Sequence, residues 1–411
     1  MAPTVDSLVT LLLIAVVVAL LARRLKVPYT VGLVVAGFLL EFVLPGRPFA
    51  VKLTRELIFS TLLPPLLFES ALNTHWKDIR RDLGLMLFLA TVGVIVSALM
   101  VAFGMAHWAG WPIGSALVFG VLIAATDPVA VISLLREAGV TGRIRHLIET
   151  ESLANDGTSA TLFLIALPFA LPGGGHPTGA AVIGGIGLAL IAQIVGGLLI
   201  GVAVGTLAIL LAGGTGDHLI ETALTTVAAY GTFLIADHLH VSGILATVAA
   251  GLMLGNFGIL RENRTNLITE RGREVVVAFW DFAAFLANSL IFLLIGLKLA
   301  ALPFTHGLIK PIVLGIALML SSRALTAYLP AAVWLGKTKR LSMRNRHLLF
   351  WGGLRGALAL ALVLSLPDNL PLHDIIIMTT FGVVAFSILV QGTTIPILLK
   401  SLFKDSPKGV S

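Results

Sequence analysis

Residues 83–107 read LGLMLFLATVGVIVSALMVAFGMAH, a run without a single Asp, Glu, Lys or Arg. At about 1.5 Å of rise per residue, a helix of that length exceeds the ~30 Å of hydrocarbon in a bilayer. Hydrocarbon offers no hydrogen bonds, so the peptide groups of such a run must satisfy one another, which a helix does. Comparable runs recur from end to end of the 411-residue chain, which is 57% hydrophobic and 12% charged. A soluble globule carries about twice that charged fraction. The composition predicts an all-α polytopic membrane protein, with the lipid bilayer as its partner and no separate soluble domain. With no cysteine in the chain, disulfides and thiolate metal sites are excluded. The first apolar stretch follows Asp6 instead of a basic segment and lacks a small-residue cleavage site, so it reads as a retained helix and not a signal peptide.

Working outward from 83–107, thirteen spans are predicted, near 7–22, 28–44, 53–72, 83–107, 113–135, 146–171, 178–212, 218–237, 241–258, 274–301, 308–336, 346–366 and 373–399. The seventh is too long for one upright helix and is expected to tilt or to bend at its glycines. The formal charge of +7 reads as a topology signal and not as a nucleic-acid footprint. With the N-terminus outside, 21 of the 28 Lys and Arg fall on inside connections and four outside, while Lys298, Arg323 and Arg355 lie within spans. That asymmetry predicts a C-terminus on the cytoplasmic side. Thirteen divides into six, one and six, and an odd linking helix makes the second six enter from the opposite side, the plan of an inverted repeat. The fifth span of each six is interrupted: Thr126-Asp127-Pro128 in span five and Gly352-Gly353-Leu354-Arg355-Gly356 in span twelve. Proline disfavours helix in the residue before it, and glycines tolerate unwinding. Interrupted helices at matched repeat positions point to an ion site near the midplane.

Ionisable groups deep in a span are costly and mark function. The set here is Glu69 in span three, Asp127 in five, Glu151 and Asp156 in six, and Arg355 in twelve. In span six, Ser152 and Asp156 share one helix face, and Glu151 and Asn155 the next. The first face offers oxygen ligands for a hard cation. The second offers a carboxylate and an amide, suited to an internal ion pair between Glu151 and Arg355. A carboxylate far from water is poorly tolerated when empty and ionised. It is carried with a proton or with a cation, so two ions compete for one seat, and alternating access then couples their movements. Asp127, just before Pro128, also suits a helix cap, and Glu69 a span boundary. Arg323 reads as structural, Lys298 as snorkelling to a span end, and Asp281 as peripheral. The histidines lie at connections and span ends and form no metal set.

These residues give the chain its resemblance to a known family. LLPPLLFESALN (62–73), AATDPVAV (124–131), ETESLANDGTS (149–159), VSGILATVAAGLMLGN (241–256), ANSLIFLLIGLKL (287–299) and WGGLRGALALAL (351–362) occur in order over nearly the whole chain. Together they are similar to the NhaP-type sodium/proton antiporters of the monovalent cation/proton antiporter superfamily. The resemblance implies a thirteen-helix fold with two crossing interrupted helices, a core ion-transport domain (83–171 and 308–399) and a dimer-interface domain (7–72 and 178–301). It implies Asp156 as the shared site for Na+ and H+. Ser152, Glu69 and the Thr126 carbonyl would be further ligands, with Asp127 close by and Glu151, Asn155 and Arg355 as a supporting network. It implies a homodimer, no enzymatic activity, no cofactor beyond the transported ions, and electroneutral one-for-one exchange from the Asn155-Asp156 pair. Only about a dozen residues follow the last span, so no long regulatory tail and a prokaryotic cell membrane are expected. A cation channel would need a continuous ring of charges or carbonyls. An intramembrane aspartyl protease would need a partner for Asp217 of Gly214-Thr215-Gly216-Asp217 at matched depth. Neither is legible.

Overall fold

The structure, a computed structural model, describes residues 5–403 apart from 26–27, 44–53, 55, 128–130, 133–134, 136–139, 141, 174–179, 260–267, 302–305 and 334–340. Pro128 lies outside the described residues, as do Arg261, Arg264, Lys337, Lys339 and Arg340, on which part of the orientation rests. All regular structure among the described residues is helical. In chain order the helices are α1 (Val5–Leu25) and α2 (Tyr29–Val43), then α3 (Leu57–Leu72) and α4 (Trp76–Ala109). Next come α5 (Ile113–Leu122), α6 (Arg143–Ala170), α7 (Ala180–Ala212) and α8 (His218–His238). The remainder are α9 (Gly243–Ile259), α10 (Glu270–Ala300), α11 (Ile309–Val333), α12 (Met343–Trp351), α13 (Ala357–Val363) and α14 (His373–Leu402).

Six described helical stretches, those in α4, α7, α8, α10, α11 and α14, are long and apolar enough to cross a bilayer, and those in α1, α2, α3, α5 and α9 are apolar but shorter. Helix starts follow side-chain chemistry: Asp217, Ser242, Thr269 and Ser342 each accept a backbone N–H of the turn they open, for α8, α9, α10 and α12. Asp217 is thus a cap in a turn, which accounts for the motif that otherwise suggests a protease. Helix α4 begins before the apolar run, at Trp76, and bends at Asp82, whose backbone is non-helical (φ −118°, ψ 16°). The Asp82 carboxylate is gripped there by Arg143 at the start of α6, with N–O distances of 2.6, 2.9 and 3.1 Å.

Helix α7 is one unbroken helix of 33 residues. Gly196, Gly197, Gly201 and Gly205 give close approach to neighbouring residues of the fold. A Cβ on Gly201 would lie 2.2 Å from the Ala246 carbonyl oxygen of α9. The same device joins α2 to α10. A Cβ on Gly37 would fall 2.1 Å from the Leu293 oxygen, and one on Gly296 2.2 Å from the Val34 oxygen. In lipid, where apolar contact between helices gains little over contact with acyl chains, such small-residue seams are what bring helices together.

Candidate functional site

Helix α5 stops at Leu122, and residues 123–127 run on without helical structure. Helix α12 stops at Trp351, and α13 resumes at Ala357. The two breaks meet: the Asp127 N–H donates to the Leu354 carbonyl at 2.7 Å, and the Asp127 carboxylate accepts the Ala357 N–H that opens α13, at 3.4 Å. Two glycines of the second break make room for charged neighbours. A Cβ on Gly356 would sit 1.8 Å from the Asp127 carboxylate oxygen, and one on Gly353 2.5 Å from Nε of Arg323. A turn of π-helix in α14 (Ser387–Gln391) supports the break from behind. The Arg355 N–H donates to Ser387 Oγ at 2.9 Å, and Ser387 Oγ donates to Gln391 Oε1 at 2.7 Å.

Helix α6 passes the first break and closes round Thr126. Ser152 Oγ donates to the Thr126 carbonyl. Asn155 donates from Nδ2 to Thr126 Oγ1 at 2.7 Å and accepts the Thr126 N–H at 3.3 Å. The sequence places Ser152 and Thr126 among the ion ligands. In this structure their oxygens are spent on each other, and Asn155 belongs to the same knot. One turn on, Asp156 faces open space. Among the described residues it has neither a hydrogen bond nor an ion pair, and Asp127 and Glu151 act on it as like charges.

The expected pair between Glu151 and Arg355 is corrected. Glu151 is gripped instead by Arg323 of α11, with Nη1 to Oε1 at 2.7 Å and Nη2 to Oε2 at 2.9 Å. The reason is local backbone. Arg323 reaches over Gly353, where any side chain would block it, and is held by its Nε donating to the Leu349 carbonyl at 3.1 Å. Arg355, in the unwound stretch, turns back on its own chain and donates from Nη1 to the Gly353 carbonyl at 3.1 Å. It is buried, its Nε has no hydrogen-bond partner, and it feels Glu151 as an attracting and Arg323 as a repelling charge. Arg355 therefore stays near the network as a second cation without making the pair.

Asp156, Asp127, Thr126 and Glu69 line one cavity of about 700 Å³. It lies between α3 and α10 on one side and α6, α13 and the residues after α5 on the other. Glu69 also accepts a hydrogen bond from Asn73 Nδ2 at 2.8 Å. The same cavity is lined by Glu149, Asp281 and Asn288, which the sequence reading did not select. Asp281 looked peripheral from its distance to a span end. The available signal was spacing, because Asp281 and Asn288 are two turns apart and share a face of α10. Among the described residues no three His, Asp or Glu converge as a metal site.

A family model described as sodium/hydrogen exchanger, transmembrane, matches residues 11–401. The chain is 37% identical over 381 residues to the Na(+)/H(+) antiporter ApNhaP of Aphanothece halophytica, covering 92% of this chain and 70% of that one. It is 33% identical over 409 residues to the Na(+)/H(+) antiporter NhaH of Halobacillus aidingensis, covering 96% and 97%. The fold matches that of the sodium proton antiporter MjNhaP1 of Methanocaldococcus jannaschii, with a TM-score of 0.77 at 19% identity over 98% of each chain.

Proposed function

The chain belongs to the sodium/hydrogen exchanger family, whose members are membrane transporters and not enzymes, and from that premise we propose that it exchanges a monovalent cation, sodium first, with lithium and potassium as alternatives, for protons. The single observation that carries the reading is the state of Asp156. It is the cavity-lining carboxylate of α6 that no described group neutralises, five positions after a carboxylate that is fully neutralised. A proton and a cation compete for that seat. Each bound form is electrically balanced, and the empty ionised form is disfavoured away from water. Glu69, Ser152, Thr126 and Asp127 surround the seat as further ion- and proton-binding groups. Ser152 and Thr126 become ligands when the hydroxyl–carbonyl contact between them opens.

The finer architecture belongs to the same proposal. Thirteen spans form an inverted repeat, the two breaks lie on crossing helices, the N-terminus is outside and the C-terminus cytoplasmic. The core domain (83–171 and 308–399) moves against the interface domain (7–72 and 178–301), and the cavity opens between them. Lipid and a second copy of the chain cover the outer apolar faces, including those of α1 and α7, where Leu13 and Leu199 are exposed. The exchange is one cation for one proton, since Asn155 cannot ionise and Glu151 stays paired. A different stoichiometry, with potassium or sodium, is the second reading, favoured only by Glu69 and Asp127 lining the same cavity. The test is proton flux in reconstituted vesicles with sodium, lithium and potassium in turn. Sodium movement without opposed proton movement would replace the exchanger by a channel.

A further inference from the structure

The wall opposite Asp156 is not inert. Helix α10 turns Asp281, Ala284, Phe285 and Asn288 into the cavity, the spacing of a single helical face. Asp281 is exposed and lies about three turns in from the end of α10 that carries Arg271 and Arg273. Asn288 lies two turns deeper, about 10 Å along the helix axis. It is 6% exposed, and its Oδ1 has no hydrogen-bond partner. A buried amide oxygen without a partner costs roughly 1–3 kcal/mol, and native structures rarely leave one so unless a ligand or water completes it. It also has the chemistry of a ligand: a neutral carbonyl oxygen suits a hard monovalent cation and holds it without binding it permanently. The other wall repeats the spacing, with Glu149 and Asp156 two turns apart on α6.

We infer that this face of α10 is a cation-access path, with Asp281 as the outer capture charge and Asn288 as an inner oxygen ligand from which a hydrated monovalent cation passes to Asp156. The inference rests on the exchange reading for its destination, but the path itself is a matter of binding. The absence of a converging set of three acids among the described residues fits a passing monovalent ion and not a resident divalent metal. Asp281 raises the local cation concentration at the mouth of the cavity. Asn288 replaces one water of hydration as the ion leaves solvent.

The experiment has two arms. In proteoliposomes, Asp281→Asn and Asn288→Leu each raise the KM for sodium roughly three- to tenfold, more than they lower the maximal rate. Absence of sodium-driven proton flux in the wild type would refute the exchange reading and leave the second arm to decide the path. In that arm, sodium is titrated against thermal unfolding of purified Asp156→Asn protein, with choline as the control cation. Weakened but sodium-specific stabilisation persists in Asp156→Asn and vanishes when Asp281→Asn and Asn288→Leu are added. The path is overturned by KM values within twofold of wild type. It is equally overturned if Asp156→Asn shows no sodium-specific stabilisation, or if its stabilisation is unaffected by the α10 substitutions.

Discussion

Glu151 and Asp156 are both carboxylates on α6, five positions apart, and they live in opposite worlds. Glu151 is 1% exposed and held by both terminal nitrogens of Arg323. Asp156 lines a cavity of about 700 Å³ with no described partner. The difference comes from the groups each meets and not from the helix, since five residues turn the chain by about 500°, or 140° net. One face of α6 meets α11 and its arginine, the other meets a space large enough for water and ions. A charge with a permanent partner holds the fold. A charge without one must take its partner from solution, as the exchange proposed for Asp156 requires.

The largest effect is expected from removing the unpartnered charge. Asp156→Asn should abolish sodium-driven proton flux while the purified protein remains monodisperse, and wild-type flux in that variant would remove the distinction between the two carboxylates. Next comes the paired charge. Glu151→Ala or Arg323→Ala strands a buried ion at a cost of about 3–5 kcal/mol. Each should lower the melting temperature, and the double variant should lose less than the sum. The same cycle run with Arg355 in place of Arg323 should give the weaker coupling. Stronger coupling of Glu151 to Arg355 would overturn the Glu151–Arg323 pairing.

Smaller effects sharpen the comparison. Protons and sodium competing at Asp156 should raise the KM for sodium as pH falls, by at most about tenfold per pH unit for one proton against one cation. A KM that stays flat from mildly alkaline to mildly acidic pH would separate the two ions' sites. The smallest expected effect is that of voltage. If Glu151 never changes charge, the cycle moves no net charge and escapes the coupling of about 2.3 kcal/mol per 100 mV that a single uncompensated charge would feel. A valinomycin-imposed potential should leave the flux unaltered. Acceleration by either sign would bring Glu69 or Asp127 into the cycle as a second titrating group.

Much of this was legible beforehand, for identifiable reasons. Apolar run length follows bilayer thickness, so helix positions emerged from residues alone. Helix spacing places Ser152, Asn155 and Asp156 close together on α6, but the closure of Ser152 and Asn155 on Thr126, which leaves Asp156 apart, depends on the unwound residues after α5. The partner of Glu151 did not emerge. Arg323 and Arg355 are both far away in sequence, and the choice between them depends on an unwound backbone at Gly352–Gly356 that no periodicity describes. Asp281 was missed for a different reason. Distance from a span end is not distance from function, because the cavity is lined by the middle turns of α10 from Asp281 to Asn288.

The glycine seam between α2 and α10 bears on how this molecule tolerates change. At Gly37 and Gly296 the opposing carbonyl oxygens stand where a methyl group would have to go, 2.1 and 2.2 Å from a would-be Cβ. Such a joint behaves as a dovetail in carpentry: tight across the contact, with no slack for one timber to creep past the other. The face of α10 bearing Asp281 and Asn288 is therefore mounted on a stiff double beam, and the register of its oxygens is set by two residues that touch no ion at all.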